Sequence, residues 1–320
     1  MPDHRTWGWH GLCFRAMNTG IEVQLYTDRH VHAPQEVQRM FHTAESCLTR
    51  FDPSSELCQL NRSAGGCQRV SSLLYDVVEA AMWAARATQG LFDPTMLRTM
   101  ESIGYDRSFE LVQREQPAGG TPRTPPRGRY AAIGLKRARR EICLPPDVQL
   151  DLGGIGKGWT VDRASDWLAG LGPFLINAGG DLYAYGAPPG QPGWSIGIAD
   201  PWEPTRNIAR LWVRQQAVAT STTTRRQWRR GGRAMHHLID PRTGLPADTD
   251  AVSATVIAPR AALAEVYAKT ALIQGVEAGQ RWLDSIPDVE GLLIRNNGQL
   301  IATHGLSAYL EVKDDHTVEA

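Results

Sequence analysis

Four glycines among six residues, Gly153, Gly154, Gly156 and Gly158, surround Lys157 and closely follow Asp151. Glycine lets backbone N–H groups approach an anion with no Cβ in the way, and a lysine adds a mobile positive charge at the same edge. The chemistry this suggests is retention of a phosphate. A P-loop would need glycine at 151 and Ser or Thr at 158, where Asp151 and Gly158 stand. Nor do Gly154, Gly156 and Gly158 give the Gly-x-Gly-x-x-Gly of a dinucleotide fold. A tight strand-to-helix turn carrying a solvated lysine is the competing reading of the same residues.

The elements around this stretch follow from apolar spacing. Val148, Leu150 and Leu152 read as the end of a strand, and residues 159–171 have helical period, so a strand runs through the glycines into a helix. Residues 13–26 alternate as one strand with Met17-Asn18-Thr19-Gly20 at its centre. Helical spacing covers 33–48, and a second helix capped by Ser72 runs to Gly90. Residues 116–129, rich in Pro, Gly and Arg, read as a flexible surface insertion, and 130–144 as a hairpin. Further strands are expected at 173–185, 193–198, 208–213, 217–220 and 251–257, then a helix at 261–274 and another through Trp282. A closing hairpin turns at Asn297-Gly298. Strands and helices interleave without a βαβ rhythm, which predicts an α+β fold of mixed or antiparallel sheets with packed helices, as one domain over 1–320.

Composition narrows the function. The 34 basic residues balance the 34 acidic ones, so no electrostatic footprint for nucleic acid exists. No stretch approaches 18 apolar residues, which argues against a membrane span, and neither a signal peptide nor a lipobox is visible, so the expected location is the cytoplasm. The five cysteines lack zinc-finger spacing and are expected to be reduced.

Seven separated motifs carry a resemblance: Met17-Asn18-Thr19; Phe51-Asp52-Pro53-x-Ser55-Glu56 with Asn61; Gly90-x-Phe92-Asp93-Pro94-Thr95; the stretch from Asp151 to Gly158; Asn177-x-Gly179-Gly180-Asp181; Ala219-Thr220-Ser221; and His237-x-Ile239-Asp240-Pro241-x-Thr243-Gly244. In that order they resemble the FAD:protein FMN transferase family (ApbE-like flavin transferases). The resemblance implies an α+β fold with FAD between two subregions. It also implies cleavage of the FAD pyrophosphate, transfer of FMN to a Thr or Ser hydroxyl of an acceptor flavoprotein, and release of AMP. It places Met17, Phe51, Leu91, Phe92, Asp93, Asp151, Lys157 and Leu238 against FAD. Phe51 stands where many relatives carry tyrosine, which keeps stacking and loses a phenol hydrogen bond. Lys157 and the glycine amides would neutralise the phosphate charge. His237 is the candidate general base for the incoming hydroxyl, with Asp240 to orient it, and a histidine bonded to turn backbone is the alternative. The implied acceptor presents a Thr or Ser beside Gly-Ala. A FAD-binding chain without transfer, or a FAD pyrophosphatase releasing FMN and AMP, would share these motifs.

Mg²⁺ is the implied metal, held by a carbonyl of the glycine stretch (Gly154) and by an aspartate and a threonine four residues apart on the helix before Gly275. Those helix positions here are Glu265 and Lys269. Three readings stay open: Lys269 replaces part of the metal's charge; Glu265 and Gly154 still hold Mg²⁺ with Lys269 lying along the phosphates; or the two are an ordinary i,i+4 surface pair. Arg225 and Arg226, after Thr222-Thr223-Thr224, would bind the AMP end of FAD or an acidic acceptor, or form a solvated loop.

Overall fold

The structure is a computed structural model that describes residues 6–117 and 128–311. Most of the expected insertion lies outside the described residues; its first residue, Gln116, forms with the preceding Glu115 a short strand that pairs parallel with Arg229 and Arg230.

An eight-stranded sheet takes strands from both ends of the chain, each antiparallel to its neighbours and in chain order. They are β1 (Gly8–Ala16), β2 (Thr19–Thr27), β3 (Phe174–Ala178), β4 (Asp181–Tyr185), β5 (Gln216–Thr222), β6 (Ala251–Ala258), β7 (Glu290–Arg295) and β8 (Leu300–Ala302). The α+β expectation holds. Where one strand was read over 13–26 and another over 173–185, the chain instead makes two hairpins. Met17 and Asn18 in the first turn have φ of 52° and 57°, and Gly179 and Gly180 in the second have 67° and 102°. Positive φ at both central residues gives the turn twist that matches paired strands. Alternation continues on either side of both turns, so the period carried no mark of the reversal.

The alternation sends side chains to two cores. Phe174, Ile176, Ala178, Ala219 and Val256 face a helical layer of α1 (Ala33–Leu48), α2 (Glu56–Arg62), α3 (Ser72–Ala87), α5 (Gly156–Leu168), α6 (Ala261–Gln274) and α7 (Val276–Asp284), while α4 (Leu97–Ser102) sits in a separate small cluster with Tyr105 and Trp228. Leu182, Val218, Ile257 and Leu292 face the other way and pack on the hairpin Trp194–Ala199 and Asn207–Val213. No helix among the described residues is long and apolar enough to cross a membrane.

The expected strand before the glycines is also corrected. Residues 148–152 form no strand and pair with none among the described residues; Leu150 N donates to Asn61 Oδ1 (2.7 Å), Asn61 Nδ2 donates to Leu150 O (2.9 Å), and Asp151 N donates to Pro94 O (2.8 Å). A buried asparagine does here what a neighbouring strand would do. The expectation of five reduced cysteines is overturned as well. Cys67 and Cys143 face one another across the short antiparallel pair Cys67–Arg69 and Glu141–Cys143, with Cα atoms 3.9 Å apart, and form a disulfide. Seventy-six residues separate them in sequence, which conceals the pairing. Cys13, Cys47 and Cys58 are free thiols.

Candidate active site

Because the sheet is a meander, the turns after alternate strands lie at one end. Met17 and Asn18, Gly179 and Gly180, and the Thr220–Thr222 end of β5 gather there and line a cavity of about 680 Å³. That volume lies within the ~300–1,000 Å³ usual for small-molecule sites. Met17 is held in its left-handed conformation while its N–H donates to Glu45 Oε1 at 2.7 Å. Such a conformation is uncommon in a residue with a side chain, and this one places Met17 on the cavity wall.

The cavity floor is the glycine stretch, fixed by two helices in close contact. A Cβ at Gly158 would come within 2.5 Å of Ala261 O, so glycine there lets α5 and α6 approach at backbone distance. Asp162 on α5 then caps α6, its carboxylate accepting from Ala261 N (2.7 Å) and Ala262 N (3.0 Å). Burial raises the Asp162 carboxyl to about 6, opposed by Arg260 and these amides. Helix α6 is apolar almost all round, with Ala264, Val266, Ala268, Ala271 and Leu272 buried, and so lies enclosed rather than on the surface. Glu265 is buried with it and Lys269 is half-buried on the cavity wall, so the two do not form a solvated surface pair.

Lys157 is bonded on both sides. Its ammonium pairs with Asp181 at the β3–β4 turn and with Glu265 Oε1, while Glu265 Oε2 accepts from Gly158 N at 2.9 Å. Burial alone would lower the Lys157 pKa, but the carboxylates of Asp181 and Glu265 reverse this and hold it well above its ordinary value. Burial raises the Asp181 carboxyl, opposed by Lys157 and reinforced by Glu265. Lys269 differs. Its ammonium lies 5.7 Å from the Phe92 ring centroid and would be 3.4 Å from a Cβ at Gly154, yet no hydrogen bond or ion pair reaches it among the described residues. Burial lowers its pKa against the pull of Asp151, Glu265 and Asp93.

A second wall is aromatic. Arg50 lies over the rings of Phe51 (4.4 Å to the centroid) and Tyr105 (4.6 Å), and its Nε is 3.1 Å from Asp151 Oδ2. The other carboxylate oxygen of Asp151 accepts from Gly153 N at 2.7 Å. Phe92 and Asp93 reach the cavity from the turn after α3, and Asp93 is held by Thr95 through its amide (2.8 Å) and hydroxyl (2.6 Å). Burial raises the Asp93 carboxyl against those bonds.

His237 and Leu238 complete the wall. Burial lowers the His237 pKa well below its ordinary value, helped by the positive charges of Arg226, Lys269 and Lys157, so the imidazole is neutral at pH 7. Among the described residues His237 Nδ1 has no hydrogen-bond partner. Asp240 therefore does not orient it: the Asp240 carboxylate accepts from Arg242 Nε (2.9 and 3.0 Å), Nη2 (2.8 Å) and the Arg242 amide (2.8 Å), closing its own turn. Of the candidate residues, Met17, Phe51, Phe92, Asp93, Asp151, Gly154, Lys157, His237, Leu238, Glu265 and Lys269 line the cavity, whereas Leu91 and Asp240 do not. Asp181 and Arg50 had no role assigned from sequence. Asp181 carried a signal, the carboxylate closing a Gly-Gly turn; Arg50 carried none, since its stacking depends on Tyr105 being brought alongside.

The implied Mg²⁺ site does not fit these residues. Both Glu265 oxygens are engaged, by Lys157 and by Gly158 N, and the residue one turn later offers an ammonium rather than an oxygen. Among the described residues no three His, Cys, Asp or Glu side chains are grouped to hold an ion.

Comparison with known proteins bears on what this cavity does. The chain matches the ApbE family over residues 17–293. It is 32% identical to an FAD:protein FMN transferase of Klebsiella pneumoniae, over 94% of this chain and 93% of that protein. It is 29% identical to the FAD:protein FMN transferase of Treponema pallidum, over 93% of this chain and 88% of that one. Its fold is similar to that of the ApbE protein of Thermotoga maritima, with a TM-score of 0.84, 23% identity, and 95% and 100% of the two chains covered. The apo flavinyl transferase ApbE of Pseudomonas stutzeri gives a TM-score of 0.79 at 20% identity, over 97% and 99%.

Proposed function

The chain belongs to the ApbE family, and on that premise we propose that it is an FAD:protein FMN transferase whose reaction takes place in the cavity at the end of the sheet. The observation that carries this reading is that residues from all seven sequence motifs, dispersed over more than two hundred positions, line one cavity beside a neutral imidazole and an unpaired ammonium. FAD is the substrate. Its pyrophosphate lies along the Gly153–Gly158 turn, at the amino end of α5, and an aromatic portion stacks on the side of Phe51 and Met17.

In the reaction a Thr or Ser hydroxyl of the acceptor forms a bond from its oxygen to the FMN phosphorus. The bond from that phosphorus to the bridging oxygen breaks, and the bridging oxygen leaves on AMP. The hydroxyl proton passes to the free nitrogen of His237 and from there to AMP or water. An unliganded His237 is a weak base because burial and neighbouring cations depress its pKa. The pyrophosphate brings negative charge next to those cations, and the imidazole becomes more basic when the substrate is in place. Arg50 and Asp151 act by position: Arg50 stiffens the aromatic wall, and Asp151 fixes the first glycine amide.

The acceptor is a flavoprotein presenting a Thr or Ser beside Gly-Ala. Incubation with FAD and an acceptor bearing Thr-Gly-Ala, followed by AMP chromatography and acceptor mass, tests the reaction. An acceptor heavier by FMN less water, with equivalent AMP, is the expected result. AMP with free FMN would identify a pyrophosphatase, and bound FAD with neither product would identify a flavin-binding chain.

A further inference from the structure

We propose that the Lys269 ammonium is the fixed cation that receives the FAD pyrophosphate, so that this chain transfers FMN without a bound divalent metal. The inference rests on the transferase reading and adds to it the source of positive charge in the transition state.

Lys269 is carried on an enclosed, largely apolar helix, its ammonium lies against the glycine turn at Gly154 and near the Phe92 ring, and among the described residues no hydrogen bond or ion pair reaches it. Partial burial of a cation that no carboxylate among the described residues meets at ion-pair distance carries a desolvation cost. An anion entering the cavity removes that cost, and the dianionic pyrophosphate of FAD supplies two charges. The nearby carboxylates do not compete for Lys269. Asp181 is joined to Lys157, and Glu265 to Lys157 and Gly158 N. Asp151 is shared between Arg50 and Gly153 N, and Asp93 is held by Thr95. The same engagements remove the oxygen ligands a divalent ion would need. An oxygen-ligated metal and an unpaired ammonium are alternative solutions for the same negative charge, and the residues present make the second.

The chemical step keeps its balance. The acceptor oxygen bonds to the FMN phosphorus, the bridging oxygen departs with AMP, and the proton travels through His237. Lys269 exchanges no proton; it offsets charge accumulating on the phosphate oxygens, as a fixed donor does in an oxyanion hole.

The test compares the natural chain with Lys269→Thr and Lys269→Met in excess chelator and in Mg²⁺, reading AMP and acceptor mass. FAD binding is followed in parallel by flavin fluorescence, and Mn²⁺ binding by loss of the free-ion paramagnetic resonance signal. The expected result is equal AMP release by the natural chain in chelator and in Mg²⁺, with no Mn²⁺ taken up beyond what free FAD binds. Both variants should release AMP roughly 10²–10³-fold more slowly in chelator while keeping a native circular dichroism spectrum. If the variants do not fold, the natural chain in chelator decides alone. AMP release that stops in chelator and returns with Mg²⁺ would overturn the inference and leave the transferase reading intact. Unchanged rates in both variants would overturn it too. No AMP under any condition, with FAD bound, would remove the transferase reading and this inference together.

Discussion

Two lysines stand over one glycine turn and do opposite things. At the amino end of α5, Lys157 is joined to Asp181 and Glu265, and the three side chains form a closed ionic cluster between α5, α6 and the sheet. On α6, Lys269 reaches the same turn from the other side and pairs with nothing among the described residues. The fold uses Lys157, whose charge is consumed before any ligand arrives. It bears Lys269, whose charge is available only to what enters the cavity. A conspicuous Gly-Lys-Gly motif thus lies on the candidate cavity's floor, while the charge of its own lysine is already met by two carboxylates.

The largest expected effect comes from breaking the closed side. Lys157→Met leaves Asp181 and Glu265 facing each other, and we expect a loss of about 3–5 kcal/mol in urea unfolding. One carboxyl of the pair would then hold a proton, with a folded pKa above its unfolded value of about 4. The deficit should widen as pH rises through that folded pKa and narrow as pH falls toward the unfolded one. A variant as stable as the natural chain at pH 7 would mean that Lys157 is no more compensated than Lys269. The open side behaves in the opposite sense. Lys269→Met removes a cation that no carboxylate compensates, so the variant should be at least as stable to unfolding as the natural chain while FAD affinity falls, measured by fluorescence titration. A large loss of stability with unchanged FAD binding would erase the contrast between the two.

Smaller effects sharpen it. Gly158→Ala puts a Cβ within 2.5 Å of the Ala261 carbonyl oxygen, spreading α5 from α6; a loss of about 1–3 kcal/mol is expected, with the Lys157–Glu265 contact loosened, and calorimetry measures it. The smallest effect is on pH dependence. The low-pH limb of kcat/KM, which reports the free enzyme, should lie well below pH 6.5, because burial and the cations hold His237 neutral there. The limb of kcat, which reports the complex, should lie at higher pH, since bound pyrophosphate offsets those cations. Coincident limbs would show that no anion lies near His237. The depressed pKa also implies that His237 contributes stability above its unfolded value near 6.5 and that this is lost as pH falls, because the unfolded chain takes the proton first.

Sequence alone made helices 33–48 and 261–274 legible to their ends, because long apolar periods are local. Strand pairing was not local. Two hairpins read as single strands, since the β period passes through Met17-Asn18 and through Gly179-Gly180 without a break, and residues 148–152 have the apolar pattern of a strand although Leu150 bonds to Asn61, far off in the chain, rather than to a strand. The motifs made the glycine floor and the turns at the end of the sheet legible, but less than half of the candidate cavity wall; the sides formed by Met96, Met100 and Tyr105 and by residues 195–201 carried no signal. What the motifs omit is partnership. That Glu265 is bound to a lysine 108 positions earlier, that Asp240 belongs to Arg242, and that Cys67 meets Cys143 all depend on folding back of the chain.

The Cys67–Cys143 bond encloses every residue from 68 to 142, and so it encloses the Pro-, Gly- and Arg-rich stretch as well as the Phe92-Asp93 turn of the cavity. A protease that cuts the chain anywhere inside that loop leaves the two fragments covalently tied. The nicked protein would travel as one band on a gel without reductant and as two with it, and a cut within residues 116–129 would not by itself detach the Phe92-Asp93 turn from the glycine floor.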